Sequence, residues 1–526
     1  MQYRLGIAFW IVVAAAAVLL WTGSLSVPLM DPDESRFART SIEMLRNRDL
    51  VVPQFDGQPR LVKPPMVHWI QAAFFSILGV GEWTARLHAA LATLGTILLL
   101  GSVAGRRFGD EGAMWAAATL ATMPLVIVVG RLGTLDALLA MHVFAAVALD
   151  LAEPRATGTY RGLAVGGVLG LAFLIKGPVG VVLPLVIVLC GRTATRREVL
   201  PSWRALSQGL AGFAIVVLPW GLALIRRVGI DEVIDLLRTE ALERYFAGTI
   251  HIRPPWFYVP VLIVGCSPWL VPLVLGLVRA IRMRRDPAAR TALYAGAGFV
   301  GGLIFFSLGR GKLPNYLLPL MPLAAVVVAW ELGQQLRGPG RRFAGPALLA
   351  ATPGVVALAL YALTRTGLDG LPGTVALAGA AIHAAGFLAC LPALARRRPR
   401  EIFGAVAATA ALFLAVAMTL LPGELARERS AARLIEVVPE LESSRPLVVV
   451  EMKVPSLSWY LDRSPEYLNL DEFLARLDGP DDPLFVFADV DLPDVPAAAL
   501  GRLRELGRQA KFIVFEKSGE AVLADP

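Results

Sequence analysis

The chain has 526 residues, of which 56% are hydrophobic and 17% charged, with a mean hydropathy of +0.62. A soluble protein of this size cannot keep so much apolar surface away from water, so the soluble globular class is excluded. The net charge is +8 and the basic residues cluster between apolar runs, which indicates membrane topology rather than nucleic-acid binding.

Apolar runs long enough to cross a bilayer, about 20 residues each, recur from the N-terminus to Leu421. The run 5–25 has no convincing small-residue cleavage site after it, so we interpret it as a retained first span rather than a signal peptide. The sequence predicts about thirteen spans, at 5–25, 66–105, 113–129, 134–150, 162–175, 178–190, 206–226, 256–278, 292–308, 314–334, 344–363, 372–394 and 402–421.

The loops between these runs differ in charge. Every second loop is rich in arginine, as at 106–107, 282–290 and 396–400. The positive-inside rule places these loops in the cytoplasm together with the N-terminus. The alternate loops, and everything after Leu421, then face away from the cytoplasm.

The composition changes after Leu421 to a charged and mixed pattern. This change predicts a transmembrane domain at 1–421, which includes the first outer loop 26–65, and an extracytoplasmic α/β domain at 422–526. Valine- and phenylalanine-rich segments predict strands in the second domain, and two further segments predict helices. The strands are expected at 447–451, 484–488 and 512–516, and the helices at 470–477 and 497–506.

The first outer loop opens with the pattern of a helix start. Asp31 fits an N-cap, Pro32 the first helical position, and Glu34 the partner of a capping box. The helix is expected to run to about Arg46 and, because one side is partly apolar, to lie along the membrane surface.

Three charged residues of this loop are candidates for chemistry. Asp33 has no capping role and shares a helix face with Arg36 and Phe37. Lys63 is followed by two prolines at the mouth of the next span, where a stiffly placed ammonium suits a phosphate. A lysine that only reaches the lipid headgroups is the alternative for Lys63.

Further polar residues occupy the other outer loops. Asp136 lies near the hydrocarbon edge, where a carboxylate is costly and therefore a functional candidate, although an ion pair with Arg131 that only closes the turn would also explain it. Lys176 stands in a similar place before Gly177. The remaining candidates are His251, Arg310, Lys312 and Tyr316. Several fixed cations with a few carboxylates at one membrane face suggest an anionic lipid headgroup as the ligand.

At these residues the sequence resembles a known family, the C-type (GT-C) glycosyltransferases that use polyprenyl-phosphate sugars. Within it the chain is similar to the bacterial branch that contains the lipid A 4-amino-4-deoxy-L-arabinose transferase and the dolichyl-phosphate-mannose–protein mannosyltransferases. The resemblance covers roughly residues 1–335 and rests on six motifs in order. These are Asp-Glu-Ser-Arg-Phe-Ala at 33–38, Lys-Pro-Pro at 63–65, Leu-Asp at 135–136, Leu-Ile-Lys-Gly-Pro at 174–178, the segment 251–258, and Ser-Leu-Gly-Arg-Gly-Lys-Leu-Pro-Asn-Tyr-Leu-Leu-Pro at 307–319.

The resemblance implies inverting transfer of a sugar from an undecaprenyl-phosphate donor to a lipid, glycan or protein acceptor. The family's first-loop aspartate falls on Asp33, with Glu34 beside it, and its neighbouring arginine on Arg36. Its phosphate-binding lysine falls on Lys63 and its second acidic residue on Asp136. The tyrosine of its Lys-Leu-Pro-x-Tyr motif falls on Tyr316.

The sequence departs from the family at two positions. Family members often have tyrosine where this chain has Phe37. In the aminoarabinose transferases a glutamate precedes the lysine and, with the loop histidine, can hold a metal. Here that position is Val62 and only His251 remains. The resemblance therefore implies transfer that is either metal-independent or metal-assisted, and it leaves a divalent metal open as a cofactor.

The resulting hypothesis is a single displacement at the anomeric carbon. Lys63 would stabilise the leaving phosphate, with Arg310, Lys312 and Tyr316 as further candidates. Asp33 would act as general base on an acceptor hydroxyl, and Asp136 would orient the acceptor or support Arg36.

Three alternatives stay open at this point. Within the enzyme class, the chain could be a true aminoarabinose transferase acting on lipid A. In another class, it could be a transporter or flippase of lipid-linked sugars, although the sequence shows no internal repeat and the charges gather at one surface. A non-catalytic scaffold whose C-terminal domain binds a partner is the third, and the paired outer carboxylates speak against it.

Overall fold

A computed structural model describes residues 5–24, 27–152, 160–239, 251–337, 343–366 and 372–518. Within these ranges the α-helices are α1 Ile7–Trp21, α2 Asp33–Arg46, α3 Met66–Leu78, α4 Glu82–Ala121, α5 Pro124–Val129, α6 Asp136–Leu151, α7 Arg161–Lys176, α8 Val179–Ala194, α9 Trp203–Val228, α10 Ile230–Arg238, α11 Tyr258–Gly265, α12 Leu270–Arg282, α13 Arg290–Leu308, α14 Met321–Arg337, α15 Ala344–Thr366, α16 Gly373–Ala395, α17 Pro399–Arg429, α18 Ala432–Val437, α19 Pro455–Tyr460, α20 Leu470–Leu477 and α21 Ala497–Leu500. The strands are β1 Gln54–Phe55, β2 Gln58–Pro59, β3 Leu447–Val450, β4 Glu466–Leu468, β5 Leu484–Ala488, β6 Leu503–Gln509 and β7 Phe512–Lys517.

The chain divides into two compact units. The larger unit comprises Met1–Ser24, Leu61–Val67 and Arg86–Leu420. The smaller unit comprises Leu25–Arg60, His68–Ala85 and Leu421–Pro526. Most of the loop 26–65 therefore belongs to the same compact unit as the C-terminal segment.

The larger unit is a bundle of apolar helices. In the part of the chain that the structure describes, seven helices are long and apolar enough to cross a membrane. The count rises to eight if α11 and α12, which meet at an angle of 114°, form one broken span. The polytopic helical fold is confirmed, and the number of thirteen spans stays a prediction because several of the expected spans correspond to helices of 16 residues or fewer, such as α6 and α7.

The break predicted between the spans 66–105 and 113–129 lies inside α4. Gly109 has φ +80° and ψ −176°, so the helical dihedrals are interrupted there. Only glycine adopts this backbone conformation at low cost. The 40-residue element is thus two helices joined at Gly109, close to the arginine-rich segment 106–107.

Helices α7 and α9 pack through small residues. An added Cβ at Gly166 would lie 1.9 Å from the carbonyl oxygen of Gly209, and one at Gly212 would lie 2.2 Å from the oxygen of Leu163. Such close approach of two backbones is the usual packing mode of membrane helices, because lipid offers no hydrophobic driving force between them.

The smaller unit contains a five-stranded sheet in the order β4-β3-β5-β7-β6. β3 pairs in parallel with β4 and β5, whereas β7 pairs antiparallel with β5 and β6. Both faces of the central strands are buried, because alternate residues enter two separate apolar clusters. The small C-terminal α/β domain predicted from composition is confirmed.

Two local predictions about this unit are wrong. The helix expected at 497–506 ends at Leu500, and the chain continues as the edge strand β6, since pairing with β7 outweighs the local helix propensity of its arginine and glutamate. Asp31 does not cap α2: the N-cap position is Pro32 and no side chain bonds to the helix start. Ten of the 14 residues of α2, polar ones included, are buried within the protein. That the helix lies along the membrane surface stays a prediction.

Candidate functional site

Asp136 forms the centre of a buried polar cluster in the larger unit. It is the first residue of α6 and only 4% exposed. Its carboxylate accepts hydrogen bonds from Lys176 Nζ at 2.7 Å and from Asn315 Nδ2 at 2.7 Å, and Thr134 Oγ1 lies at 3.3 Å. A buried carboxylate is tolerated when it is paired and hydrogen-bonded, and here an ammonium, an amide and a hydroxyl surround it.

Lys176 reaches Asp136 because of how α7 ends. Gly177 follows with φ +62°, which terminates the helix, and Pro178 then leads into α8. The ammonium of Lys176 also lies 4.6 Å from the centre of the Tyr316 ring, a cation–π distance. The cluster therefore joins residues from three of the six motifs noted in the sequence, at 135–136, 174–178 and 307–319.

A cavity of about 160 Å³ in the larger unit has two lysines in its wall. Lys63 and Lys176 line it together with apolar side chains that include Phe173, Trp220 and Leu224. The rest of the wall is also mainly apolar. A site of this kind offers cationic groups to an anion and a hydrocarbon-like surface to whatever is attached to that anion.

Lys312 has a different environment from the other candidate cations. Its side chain is buried, and its Nζ donates to the carbonyl oxygens of Arg253, at 3.0 Å, and Gly309. Its backbone N–H donates to the oxygen of His251 at 3.0 Å. Burial lowers the pKa of the Lys312 ammonium. These bonds tie the segment after Gly309 to the segment after His251, so Lys312 holds these two loops together.

Arg310 and His251 lie at the same pair of loops and are both exposed. The Arg310 carbonyl accepts from the N–H of Arg253 at 3.3 Å, and Ile252 pairs with Gly311 in an antiparallel bridge. The side chains of Arg310 and His251 thus project from a braced backbone.

Asp33 and Arg36 lie on the first turn of α2, in the smaller unit. Asp33 has a side chain that is 55% exposed, and its Oδ1 lies 3.9 Å from Nη1 of Arg36. Glu34 is buried, and its Oε2 accepts from the N–H of Met30 at 3.2 Å, which closes the turn before the helix. Phe37 stacks on the ring of His68, with the centroids 5.3 Å apart, so Phe37 has a packing role here.

Sequence reasoning found most members of these clusters and missed two. Asn315 and Thr134 were not singled out, although Asn315 stands in the motif at 307–319 and Thr134 only two residues before Asp136. Both are short polar side chains in or beside a motif of the membrane region, and that polarity is the sequence signal that could have identified them.

A metal centre was left open by the sequence. Among the residues that the structure describes, no three His, Cys, Asp or Glu side chains gather closely enough to hold a metal ion. Val62 cannot act as a ligand, and His251 is exposed with φ +58°. Within the described ranges, His251 and its neighbours do not form a ligand set for a metal.

The fold is similar to those of solved membrane glycosyltransferases. A crystal structure of ArnT from Cupriavidus metallidurans bound to undecaprenyl phosphate superposes with a TM-score of 0.78 at 23% identity, and the match covers 99% of this chain and 100% of that one. The oligosaccharyltransferase of Archaeoglobus fulgidus in the apo form matches with a TM-score of 0.54 at 11% identity, over 92% of this chain and 70% of that one.

The sequence comparisons agree with the fold. Residues 62–221 match the family model of the dolichyl-phosphate-mannose-protein mannosyltransferases. The undecaprenyl phosphate-α-4-amino-4-deoxy-L-arabinose arabinosyl transferase of Edwardsiella ictaluri is 30% identical over 489 residues, which are 88% of this chain and 86% of that protein. The enzyme of the same name from Pseudomonas aeruginosa UCBPP-PA14 is 34% identical over 340 residues, 61% of this chain and 60% of that protein.

Fold and sequence together define the class, a multi-pass membrane glycosyltransferase of the C type, and confirm the resemblance inferred from the motifs. Within that class the chain belongs to the family of the undecaprenyl phosphate-aminoarabinose arabinosyl transferases.

Proposed function

We propose that this protein transfers a sugar from an undecaprenyl-phosphate-linked donor to a lipid, glycan or protein acceptor at the outer face of the inner membrane. The observation that carries the proposal is the cavity with Lys63 and Lys176 in an otherwise largely apolar wall. A polyprenyl phosphate is an anion on a hydrocarbon chain, and this wall offers a complement to both parts. The names of the relatives, which specify an undecaprenyl phosphate sugar, support the same donor class.

The transfer itself is a single displacement. An acceptor oxygen forms a bond to the anomeric carbon while the bond from that carbon to the phosphate oxygen breaks, so the configuration inverts. The leaving phosphate gains negative charge, and positively charged side chains stabilise it best when they are already in place. Lys63 is assigned this role, with Arg36, Arg310 and Tyr316 as further phosphate-binding candidates.

The carboxylates have separate roles in this proposal. Asp33, which is more than half exposed, accepts the proton when the acceptor is a hydroxyl, and such a base contributes about 10²- to 10⁴-fold. When the acceptor is a phosphate, no proton is removed and Asp33 only orients it. Asp136 holds Lys176 and Asn315 and is therefore assigned to positioning. Because Lys312 donates to two carbonyl oxygens, its contribution to phosphate binding is secondary to bracing the loops.

A narrower second candidate is transfer of 4-amino-4-deoxy-L-arabinose to lipid A. The observation in its favour is the name shared by the relatives. The family resemblance implies a glutamate before the lysine in the aminoarabinose transferases, and this chain has Val62 there. We therefore propose the broader activity first and test the donor directly.

The test is an assay of the purified protein with radiolabelled undecaprenyl-phosphate sugars, aminoarabinose among them. Wild type is compared with Asp33→Asn and Lys63→Ala, and Asp471→Asn, an exposed aspartate on α20, serves as the matched control. We expect the wild type and the control to release the sugar to an acceptor and both site variants to lose at least about 10²-fold in rate. Near-normal transfer by Asp33→Asn removes it from the mechanism. A donor that is bound but never consumed favours a transporter of lipid-linked sugars instead.

A further inference from the structure

The helix that carries Asp33 and Arg36 is held by residues more than 380 positions later in the chain. Both the helix α2 and the segment Pro455–Asp462, which contains α19, belong to the smaller compact unit. The contacts of the first outer loop with the C-terminal domain form three groups, at the start, the middle and the end of the loop.

The start of the loop is fixed at Asp31. Its Oδ1 accepts the backbone N–H of Ser456 at 2.8 Å, and its Oδ2 accepts the hydroxyl of the same serine. Its own N–H donates to the carbonyl oxygen of Arg429 at 2.6 Å. Two residues earlier, the N–H of Leu29 donates to the hydroxyl of Tyr460 at 2.9 Å. Hydrogen bonds to the C-terminal segment thus fix the residues that precede α2.

The middle of the helix is fixed at Asp462. Arg39 is buried, and its Nη1 donates to Oδ1 of Asp462 at 2.7 Å, while its Nε lies 2.9 Å from Glu43. Arg46, two turns further on, places Nη2 2.8 Å from Oδ2 of the same carboxylate. One aspartate of the C-terminal domain therefore pairs with two arginines on one face of α2, and these arginines hold its pKa below the usual range.

The end of the loop is fixed at Asp56, between β1 and β2. Its Oδ2 accepts from Ser458 Oγ at 2.8 Å and from the Tyr467 hydroxyl at 3.0 Å. Trp459 from α19 packs on Phe75, with the ring centroids 5.9 Å apart. Polar contacts thus join the loop to the C-terminal domain, and an apolar contact joins α3 to it.

The contacts with residues 456–462 supply part of the support that helix α2 needs. It has 14 residues, and its buried face includes Arg39, Ser41 and Glu43 as well as apolar side chains. A helix of this length is marginal alone in water, and buried polar groups stabilise a fold only when they are paired. The pairing groups for Arg39 include Asp462 of the C-terminal domain.

We propose that the C-terminal domain is a positioning part of the transferase, and that Asp462 is a positioning residue for Asp33 and Arg36. The domain sets the place of α2 through the contacts at residues 456–462, and α2 presents the two candidate catalytic and phosphate-binding side chains on its first turn. This inference rests on the proposed function for the role of Asp33 and Arg36, and on the hydrogen bonds alone for the anchoring of α2. A displacement of about 1 Å at a reacting group can cost 10²-fold in rate, so even partial loosening of α2 is expected to lower kcat.

The experiment uses the full-length protein in detergent and three substitutions. Asp462→Asn removes the charge that pairs with Arg39 and Arg46, and Asp462→Glu restores a carboxylate. Asp478→Asn is the matched control, because Asp478 is likewise an exposed aspartate paired with one arginine, Arg502, at 2.7 Å, within the C-terminal domain itself. Hydrogen exchange over residues 31–60 and steady-state kinetics are measured on each.

The expected result for Asp462→Asn is faster exchange over 31–60 and a kcat lower by about tenfold or more, with KM for the acceptor unchanged. Asp462→Glu recovers both quantities, and Asp478→Asn changes neither. If Asp462→Asn does not fold, Tyr460→Phe, which removes only the hydroxyl that accepts from Leu29, provides the same comparison.

Three outcomes overturn the proposal. Unchanged exchange over 31–60 shows that Asp462 does not anchor α2. Faster exchange with normal kcat shows that the anchor does not position the reacting groups. A raised KM with normal kcat assigns the domain to acceptor binding instead. Absence of any transfer by the wild type, with every donor tried, refutes the proposed function, and the exchange data then still decide whether the anchor exists.

Discussion

At the scale of single residues, the most consequential contact in the larger unit is the pair of Asp136 and Lys176. Both side chains are at least 87% buried, since their exposed fractions are 5% and 13%. Removal of one partner from such a pair leaves an uncompensated buried charge, which is far more costly than removal of both. Asn315 donates a hydrogen bond to Asp136 but carries no charge that could replace that of Lys176.

This predicts a non-additive effect on stability. Lys176→Met is expected to lower the free energy of unfolding by about 3 kcal/mol, because Asp136 keeps only neutral partners. Adding Asp136→Asn to that variant should restore a large part of the loss. Thermal unfolding of the two single variants and the double variant in detergent measures the coupling, and additive losses would contradict the prediction.

Asp31 supports a prediction about pH. Burial raises the pKa of its carboxyl from 3.8 to about 6, although the hydrogen bonds from Ser456 act in the opposite direction. The folded state therefore binds this proton more tightly than the unfolded chain, and the penalty for the ionised form is relieved as the pH falls through 6 towards 4. The free energy of unfolding can rise by at most about 3 kcal/mol from this group. One pKa unit corresponds to about 1.4 kcal/mol, and the pKa rises from 3.8 to about 6.

The measurement is the difference between wild type and Asp31→Asn in thermal stability at pH 5 and pH 7.5. Wild type should gain stability at the lower pH relative to the variant, in which residue 31 no longer titrates. An equal response of the two proteins to pH would show that Asp31 is not a titrating group in this range.

At the scale of elements, the contact of α7 with α9 depends on two backbones that nearly touch. Gly166 leaves no room for a Cβ beside Gly209, whereas Gly167, the next residue, has open space around its Cβ position. The two adjacent glycines of α7 thus differ in their surroundings: Gly166 lies against the backbone of α9, and the Cβ position of Gly167 is open.

Gly166→Ala is expected to destabilise the protein by about 1–3 kcal/mol, because the added methyl group must push the helices apart. Gly167→Ala is the matched control and should be neutral or stabilising by up to about 1 kcal/mol, since alanine favours a helix over glycine. Thermal unfolding in detergent compares the stability of the two variants with that of the wild type. Equal effects would show that α7 and α9 do not pack through Gly166.

At the scale of the whole molecule, the alternation of arginine-rich loops predicts an odd number of spans, with the N-terminus in the cytoplasm and the C-terminal domain outside. Alkaline phosphatase fused to the C-terminus should therefore be active, and a fluorescent protein fused there should be dark. A fusion truncated after Arg285, inside an arginine-rich loop, is the control and should show the reverse. A fluorescent C-terminal fusion would contradict the predicted topology.

The sequence by itself determined the class of fold. Apolar segments partition into the bilayer, and arginine-rich loops stay on the cytoplasmic side, so hydropathy and arginine placement act without any tertiary contact. It also pointed to Asp136, Lys176 and Tyr316, since ionisable or polar residues near hydrocarbon are rare and therefore visible. The three lie together in the structure.

Only the tertiary structure decided which partners these residues have. Asn315 lies 179 positions from Asp136, and Ser456 lies 425 positions from Asp31, and local patterns carry no information about such pairs. For the same reason the capping role expected of Asp31 was wrong: its carboxylate bonds to a distant serine rather than to the helix it precedes. The strand at Leu503–Gln509 was missed because its ladder with β7, not its own residues, selects the extended form.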